Sequence, residues 1–175
     1  MNGYLHLSKE GSPYVIELNT SILPKLTADV VIGAQAKREI GGLLLGTFPR
    51  SGGVTLRIEG YLLIEKERSK EARYVLTAEQ RAGLSSKRHR LIEGGTEVIG
   101  FFRSHIRRDA LGLRAEDRKL LEIEFGKALH TALVIRTRAP YTGGFIFPDA
   151  EGAAKITRAA QFQAEGLARM AAKVK

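Results

Sequence analysis

The chain has 175 residues and contains no cysteine. It can therefore form no disulfide bonds, and no thiolate is available to bind a metal. Any metal ion would have to be held by the four histidines and by carboxylate side chains. The positions of these residue types are the first place to look for a metal site.

The chain also lacks a long apolar run. No uninterrupted apolar stretch has the length that a membrane span needs. The first six residues do not show the basic and then apolar pattern of a secretory signal. We therefore expect a soluble, cytoplasmic protein without a membrane span. With 43% hydrophobic and 27% charged residues, the composition is typical of one globular domain with its own core.

The chain is strongly basic, with a formal net charge of +9 and a pI near 10.0. Such a charge attracts nucleic acid, acidic proteins or an anionic surface. The basic residues lack the interleaved aromatics of a single-strand stacking platform. They form small groups at Lys87 to Arg90, at Arg107 and Arg108, and at Arg136 and Arg138. A solvated basic surface is the simpler interpretation, and nucleic-acid binding remains an alternative.

Hydrophobic periodicity predicts alternating strands and helices. Strands are predicted at residues 14–18, 40–48, 54–64, 74–76, 97–103, 130–136 and 143–147, and helices at 22–37, 78–93 and 114–126. Thr77 and Gln80 form the sequence pattern of a capping box before the second helix. This order predicts a layered α/β fold in which a mixed or mostly antiparallel sheet is flanked by helices. Residues 151–175 fit either a strand near 156–162 followed by a helix, or one continuous helix.

Two motifs carry the functional inference. Glu39 directly precedes a glycine-rich strand with the sequence Glu39-Ile-Gly-Gly-Leu-Leu-Leu-Gly46. A later strand, Val98-Ile-Gly-Phe-Phe-Arg-Ser-His105, is followed by the acidic pair Glu116 and Asp117. Together these motifs resemble the MPN domain and its JAMM (JAB-like) metallopeptidases, in a divergent bacterial form. The resemblance implies a cytidine-deaminase-like α/β architecture for residues 1–150, with residues 151–175 as an extension packed on it.

The resemblance also implies which positions matter. Active JAMM members have a glutamate before x-G-G-x-L-x-G, then H-S/T-H-P, and an aspartate separated from the second histidine by ten intervening residues. On this pattern Glu39 and Ser104 occupy vestigial catalytic positions. The vestigial metal positions are Arg103, in place of the first histidine, His105, and Glu116 with Asp117 beside it. Ile106 replaces the proline, and Leu113 replaces a serine three residues before the aspartate.

Arg103 changes the expected chemistry of this site. A guanidinium has no lone pair to donate, stays protonated and repels a cation. His105 and Glu116 alone are too few for a catalytic zinc site, which has three protein ligands and a water. We therefore expect no metal and no other cofactor. Instead Arg103 should take the metal position and be neutralised by Glu39 and by Glu116 or Asp117, since buried charges require partners.

Three functions follow from the sequence. The leading hypothesis is a non-catalytic MPN-like interaction or scaffold domain that binds a protein partner or forms a homodimer. The second is a divergent zinc metallopeptidase or isopeptidase that recruits Asp109, Asp117 or His130 around His105. The third is a basic nucleic-acid-binding domain. Of the other histidines, His6 and His89 are expected at the surface, and His130 in the core or at a sheet edge.

Overall fold

The structure is a computed structural model that describes residues 3–66, 72–108, 111–138, 142–149 and 160–163. Strands and helices alternate along these residues. In chain order they are β1 (Tyr4–Ser8), β2 (Val15–Asn19), a 3-10 turn (Thr20–Ile22), α1 (Leu23–Gln35), β3 (Gly41–Thr47), β4 (Thr55–Leu63), α2 (Ala78–Glu93), β5 (Glu97–His105), α3 (Ala115–Glu124), β6 (Thr131–Arg136), β7 (Thr142–Ile146) and β8 (Ala160–Gln163).

The strands form one sheet in the order β1-β2-β4-β3-β5-β6-β7-β8. The pairs β2–β4 and β5–β6 are parallel, and the other neighbours are antiparallel. The prediction of an α/β fold with a mixed sheet flanked by helices is therefore confirmed. In the described part of the chain, no helix combines the length and the apolar character needed to cross a bilayer.

Each face of the sheet has its own apolar core. On one face, Leu26 and Val30 of α1 pack against side chains that include Leu44 and Phe102. On the other face, α2 and α3 pack against a second set of side chains from the same strands, which includes Leu43 and Phe101. Neighbouring strand residues point to opposite faces, so one apolar run supplies both cores. The molecule thus has three layers, with α1 on one side of the sheet and α2 and α3 on the other.

Two glycines of the motifs are required by close contact between strands. A Cβ atom on Gly42 would lie 1.9 Å from the carbonyl oxygen of Leu62 in β4. One on Gly100 would lie 2.1 Å from the carbonyl oxygen of Thr131 in β6. Both distances are far inside van der Waals contact, so neither backbone can approach its neighbour if a side chain is present. These motif positions serve the packing of the sheet.

Two predictions about strands need correction. Residues 74–76 form no strand; the amide of Tyr74 binds the Glu39 carboxylate, and its hydroxyl donates to the carbonyl of Ile64. Strand β1 was not predicted, because it is five residues long and only half-buried at the sheet edge. Strand β8 lies within residues 151–175, for which the sequence allows either a strand followed by a helix or one continuous helix. The rest of that segment lies outside the described residues.

The capping box of α2 forms as predicted. The Thr77 hydroxyl accepts from the amide of Gln80 at 3.2 Å, and the Gln80 side chain accepts from the amide of Thr77 at 2.9 Å. We expect Thr77→Ala to lower the free energy of unfolding by about 1 kcal/mol, because an amide of the first turn loses its partner. Urea denaturation followed by circular dichroism measures this. Ser86→Ala, at an exposed position of the same helix, is the control and should change little; equal losses in both variants would contradict the capping role.

Candidate functional site

The topology brings the two motifs together at one end of the sheet. Strands β3 and β5 are antiparallel neighbours, with Gly41 opposite Arg103. Glu39, two residues before Gly41, is therefore placed near the end of β5. Helix α3 packs on the face of the sheet that carries Phe101. Because side chains alternate along a strand, Arg103 and His105 also lie on that face, under the start of α3.

Arg103 is buried with no exposed surface, and its guanidinium is held on several sides. Its Nε donates to both carboxylate oxygens of Asp117, at 2.8 and 3.0 Å. Nη2 donates to the carbonyl of Gly112 at 2.9 Å, and Nη1 to the carbonyl of Ser104 at 3.3 Å. Asp117 also accepts from the amide of Arg114 at 2.8 Å. The ion pair between Arg103 and Asp117 thus ties β5 to the first turn of α3.

Glu39 pairs with a second arginine. One of its oxygens accepts from Arg114 Nη2 and from the amide of Ile106, and the other accepts from the amide of Tyr74 at 2.8 Å. Burial by itself raises the pKa of the Glu39 carboxyl. The hydrogen bonds from Arg114, Tyr74 and Ile106 outweigh burial, so the pKa lies below its usual value. Glu39 is therefore ionised at neutral pH and is a weak base.

His105 lies between the two guanidiniums. Its Nδ1 is 3.1 Å from Arg103 Nη1 and 3.2 Å from Arg114 Nη2. A guanidinium only donates hydrogen bonds, so Nδ1 is the nitrogen that carries the lone pair in this arrangement. The same nitrogen is 3.9 Å from a Glu39 oxygen. We call Glu39, Arg103, His105, Arg114 and Asp117 the arginine cluster.

The arginine cluster differs from the predicted one in the partner of Glu39 and in the presence of Arg114. Of the two predicted partners, Glu116 and Asp117, it is Asp117 that neutralises Arg103. Glu116 is exposed and lies 3.5 Å from Arg73. Glu39 was expected to pair with Arg103, and its partner is Arg114 instead. Arg114 was missed by the sequence analysis. A basic residue three positions before Asp117, at the start of a predicted helix, was the available indication of it.

Ser104 does not join the cluster. It lies between Arg103 and His105 on the strand, so its side chain points to the α1 face of the sheet. There its hydroxyl accepts from the amide of Ile40 at 2.9 Å, and it is fully buried. The hydroxyl links β5 to the residue before β3. The vestigial catalytic position assigned to Ser104 therefore holds a structural hydrogen bond.

Of the alternative zinc ligands, Asp117 lies in the arginine cluster, whereas His130 lies far from His105. Thr131 is in register with Gly100 and Arg136 with His105, so His130 lies near the opposite end of the parallel pair. At 3.3 Å per residue this separation is roughly 20 Å. His130 is buried and stacks on Phe125, so of the two predicted positions, core or sheet edge, it takes the core. Asp109 lies outside the described residues. His6 and His89 are exposed, as predicted.

The residues of the arginine cluster do not fit a zinc ion. Arg103 fills the space between His105 and Asp117, and both Asp117 oxygens accept from it. One Glu39 oxygen is bound to Arg114, and the other accepts from the amide of Tyr74. Among the described residues, no group of three or more His, Asp or Glu side chains is arranged to hold a metal. A cation at this place would meet two guanidiniums, which repel it.

The comparisons with known proteins identify no family. No family model matches the chain, and no curated protein matches it. Among solved structures, the chain is similar to the solution structure of protein DSY2949 from Desulfitobacterium hafniense. The two share 17% sequence identity with a TM-score of 0.49, over 85% of this chain and 90% of that one. At this identity and TM-score, the likeness carries no argument about function.

Proposed function

We propose that the chain is a non-catalytic MPN-like domain that acts in the cytoplasm as an interaction or scaffold module. Its partner is a second protein or a second copy of the chain. The observation that supports the proposal most is the fully buried Arg103, which is paired with Asp117 at the position where the resemblance places the first zinc ligand. The guanidinium takes over the structural role of a metal, since it joins β5 to α3 as a cation.

The state of Glu39 supports the absence of catalysis. In the JAMM metallopeptidases that the chain resembles, a glutamate at this position moves a proton to and from a zinc-bound water. Here its pKa is lowered and both oxygens are occupied by hydrogen-bond donors. A water without a metal keeps a pKa near that of bulk water and is a poor nucleophile at neutral pH. Neither the base nor the nucleophile of such a reaction is available.

Metal analysis tests the non-catalytic part of the proposal. We expect the protein, purified without chelator and incubated with zinc, to retain far less than one zinc per chain after gel filtration. The reason is that Arg103 stands in place of a ligand and Arg114 adds a second cation beside His105. Elemental analysis gives the stoichiometry, and a chelator-treated sample sets the background. One tightly held zinc per chain, together with hydrolysis of an isopeptide-linked substrate, would show that the chain is an enzyme.

The proposal of an interaction role rests on the resemblance to MPN domains. It also rests on the arginine cluster, where ion pairs stand in place of a zinc ion and its ligands. Analytical ultracentrifugation over a range of protein concentrations distinguishes a homodimer from a monomer. A monomer at all concentrations would direct the search to a different protein as partner. Crosslinking in cells followed by mass spectrometry would then identify that partner, and recovery of no specific partner would count against a scaffold role.

A further inference from the structure

Four arginines gather where the parallel strands β5 and β6 end. His105, the last residue of β5, is in register with Arg136, the last residue of β6. Because the strands are parallel, the residues that follow them leave the sheet at the same edge. The amide of Thr137 donates to the carbonyl of His105 at 3.2 Å, and Arg136 Nη1 donates to the carbonyl of Arg107 at 3.3 Å. These bonds hold the two segments side by side.

The two segments at this edge carry mostly positive charge. Arg107, Arg108 and Arg138 are exposed, and none of them forms an ion pair with a described residue. In the sequences 106–113 and 136–142, Asp109 is the one acidic residue besides these four arginines. The arginine cluster beneath contributes two cations and two anions. We call Arg107, Arg108, Arg136 and Arg138 the arginine edge.

We propose that the arginine edge binds the phosphate backbone of nucleic acid. The cations are all arginines, and arginine forms paired hydrogen bonds to phosphate oxygens. Protein–protein interfaces are centred on apolar side chains, whereas nucleic-acid interfaces are polar and basic. The exposed large hydrophobic side chains of the described residues are Ile32, Val54, Ile92 and Ile123. None of them belongs to segments 106–113 and 136–142, whose exposed described residues are all arginines. The arginine edge therefore has the composition of a nucleic-acid interface.

The position of the edge in the fold agrees with this function. In sheets with parallel strands, ligands bind outside the carboxyl ends of those strands. The β5–β6 pair, joined through α3, is such a parallel unit. The arginine edge lies at its carboxyl end. This function is separate from the proposed loss of zinc chemistry, because none of the four arginines belongs to the arginine cluster.

A matched pair of variants tests the proposal on the full chain. The first, R107Q/R108Q, removes two charges from the arginine edge. The control, K87Q/R90Q, removes two charges from exposed positions of α2, in another basic group of the sequence. Fluorescence anisotropy with a labelled DNA duplex of about two helical turns gives the affinity as a function of salt concentration. A single-stranded RNA probe and a polyglutamate probe are measured in parallel.

We expect the unmodified protein to bind nucleic acid with an affinity that falls linearly on a log–log plot against salt. R107Q/R108Q should lower the affinity about tenfold and reduce the salt slope by about two, because two phosphate contacts are lost. K87Q/R90Q should keep the slope of the unmodified protein. Thermal unfolding checks that all variants are folded; if R107Q/R108Q is not, the exposed single variant R138Q replaces it.

Three results would overturn the proposal. The first is no binding of either nucleic acid by the unmodified protein. The second is an equal loss of affinity in both variants, since that would reflect net charge alone. The third is polyglutamate binding of the same strength and the same dependence on Arg107 and Arg108, which would assign the edge to an acidic protein. Zinc content and oligomeric state are not part of this assay, so its failure leaves the proposed function untouched.

Discussion

Replacing Arg103 by alanine is expected to lower the free energy of unfolding by about 3 to 5 kcal/mol. The carboxylate of Asp117 is almost completely buried, and Arg103 Nε is its counter-ion. Without the guanidinium, the Asp117 carboxylate still accepts a hydrogen bond from the amide of Arg114, but it has no cation bound to it. An uncompensated buried charge costs several kcal/mol, and the large cavity left by the side chain adds to this cost.

Urea denaturation at neutral pH measures the effect. Arg103→Met keeps most of the side-chain volume, so a similar loss in this variant would assign the effect to charge rather than to the cavity. Arg107→Ala removes an exposed arginine four residues away and should change the free energy of unfolding by less than about 0.5 kcal/mol. An unchanged midpoint for Arg103→Ala would contradict the role of the ion pair.

A double variant sharpens the same test. Asp117→Asn removes the negative charge but retains an oxygen that can accept from the amide of Arg114. In the background of Arg103→Met, this second change should therefore recover part of the lost stability. If the two changes instead add their separate costs, Arg103 and Asp117 are not coupled. Such additivity would mean that the stability of this end of the sheet comes from packing alone.

The elements that the sequence predicted well are those with a long apolar pattern. The helix over Ala78–Glu93 has an N-terminal boundary defined by Thr77 and Gln80, and its position agrees with the structure. Strands β3 and β5 are continuous apolar runs because both of their faces are buried. Residues 74–76 look like a strand because they are also a short apolar run. They remain irregular because the amide of Tyr74 is bound by a side chain instead of a neighbouring strand.

The choice between Glu116 and Asp117 shows what counting along the sequence omits. Counting from His105 selects Glu116, since it assumes that the loop has the length found in the family. Which carboxylate enters the cluster is decided by the buried face of α3. Asp117 shares that face with Leu120, Leu121 and Glu124, at helical spacing, and all four are buried. Helical periodicity could therefore have selected Asp117, whereas the pairing of Arg114 with Glu39 depends on the three-dimensional approach of two distant segments.

The geometry of the arginine cluster indicates which substitutions could create a zinc site. A histidine at position 103 carries Nε2 three bonds beyond Cβ, as Nε is in arginine. Arg103 Nε lies 2.8 and 3.0 Å from the Asp117 oxygens, close to the spacing of roughly 3.3 Å between two ligands of a tetrahedral zinc. The change Glu116→Asp would add nothing, because Glu116 is exposed and pairs with Arg73. The variant that follows from the structure is R103H/R114S.

Both substitutions in R103H/R114S are needed for distinct reasons. Arg103→His supplies a third ligand beside His105 and Asp117. Arg114→Ser removes the remaining cation, which lies 3.2 Å from His105 Nδ1 and holds Glu39. The freed Glu39 could then accept a proton from a zinc-bound water. We expect R103H/R114S to bind one zinc with a dissociation constant in the micromolar range, which corresponds to a binding free energy of about −8 kcal/mol. R103H alone should bind much more weakly.

Isothermal titration calorimetry with zinc measures the gain, and R103H/R114S/D117N serves as the control that lacks the Asp117 carboxylate. R108H/R114S places the new histidine on the exposed arginine edge and should bind no better than the unmodified protein. Peptidase activity of R103H/R114S should stay weak, because the residues around a catalytic zinc must also orient its ligands and the substrate. If R103H/R114S is folded and still binds no zinc, positions 103, 105 and 117 do not converge as ligands. The proposal of a former metal site would then be dropped, while the mixed α/β fold and the Arg103–Asp117 ion pair would stand.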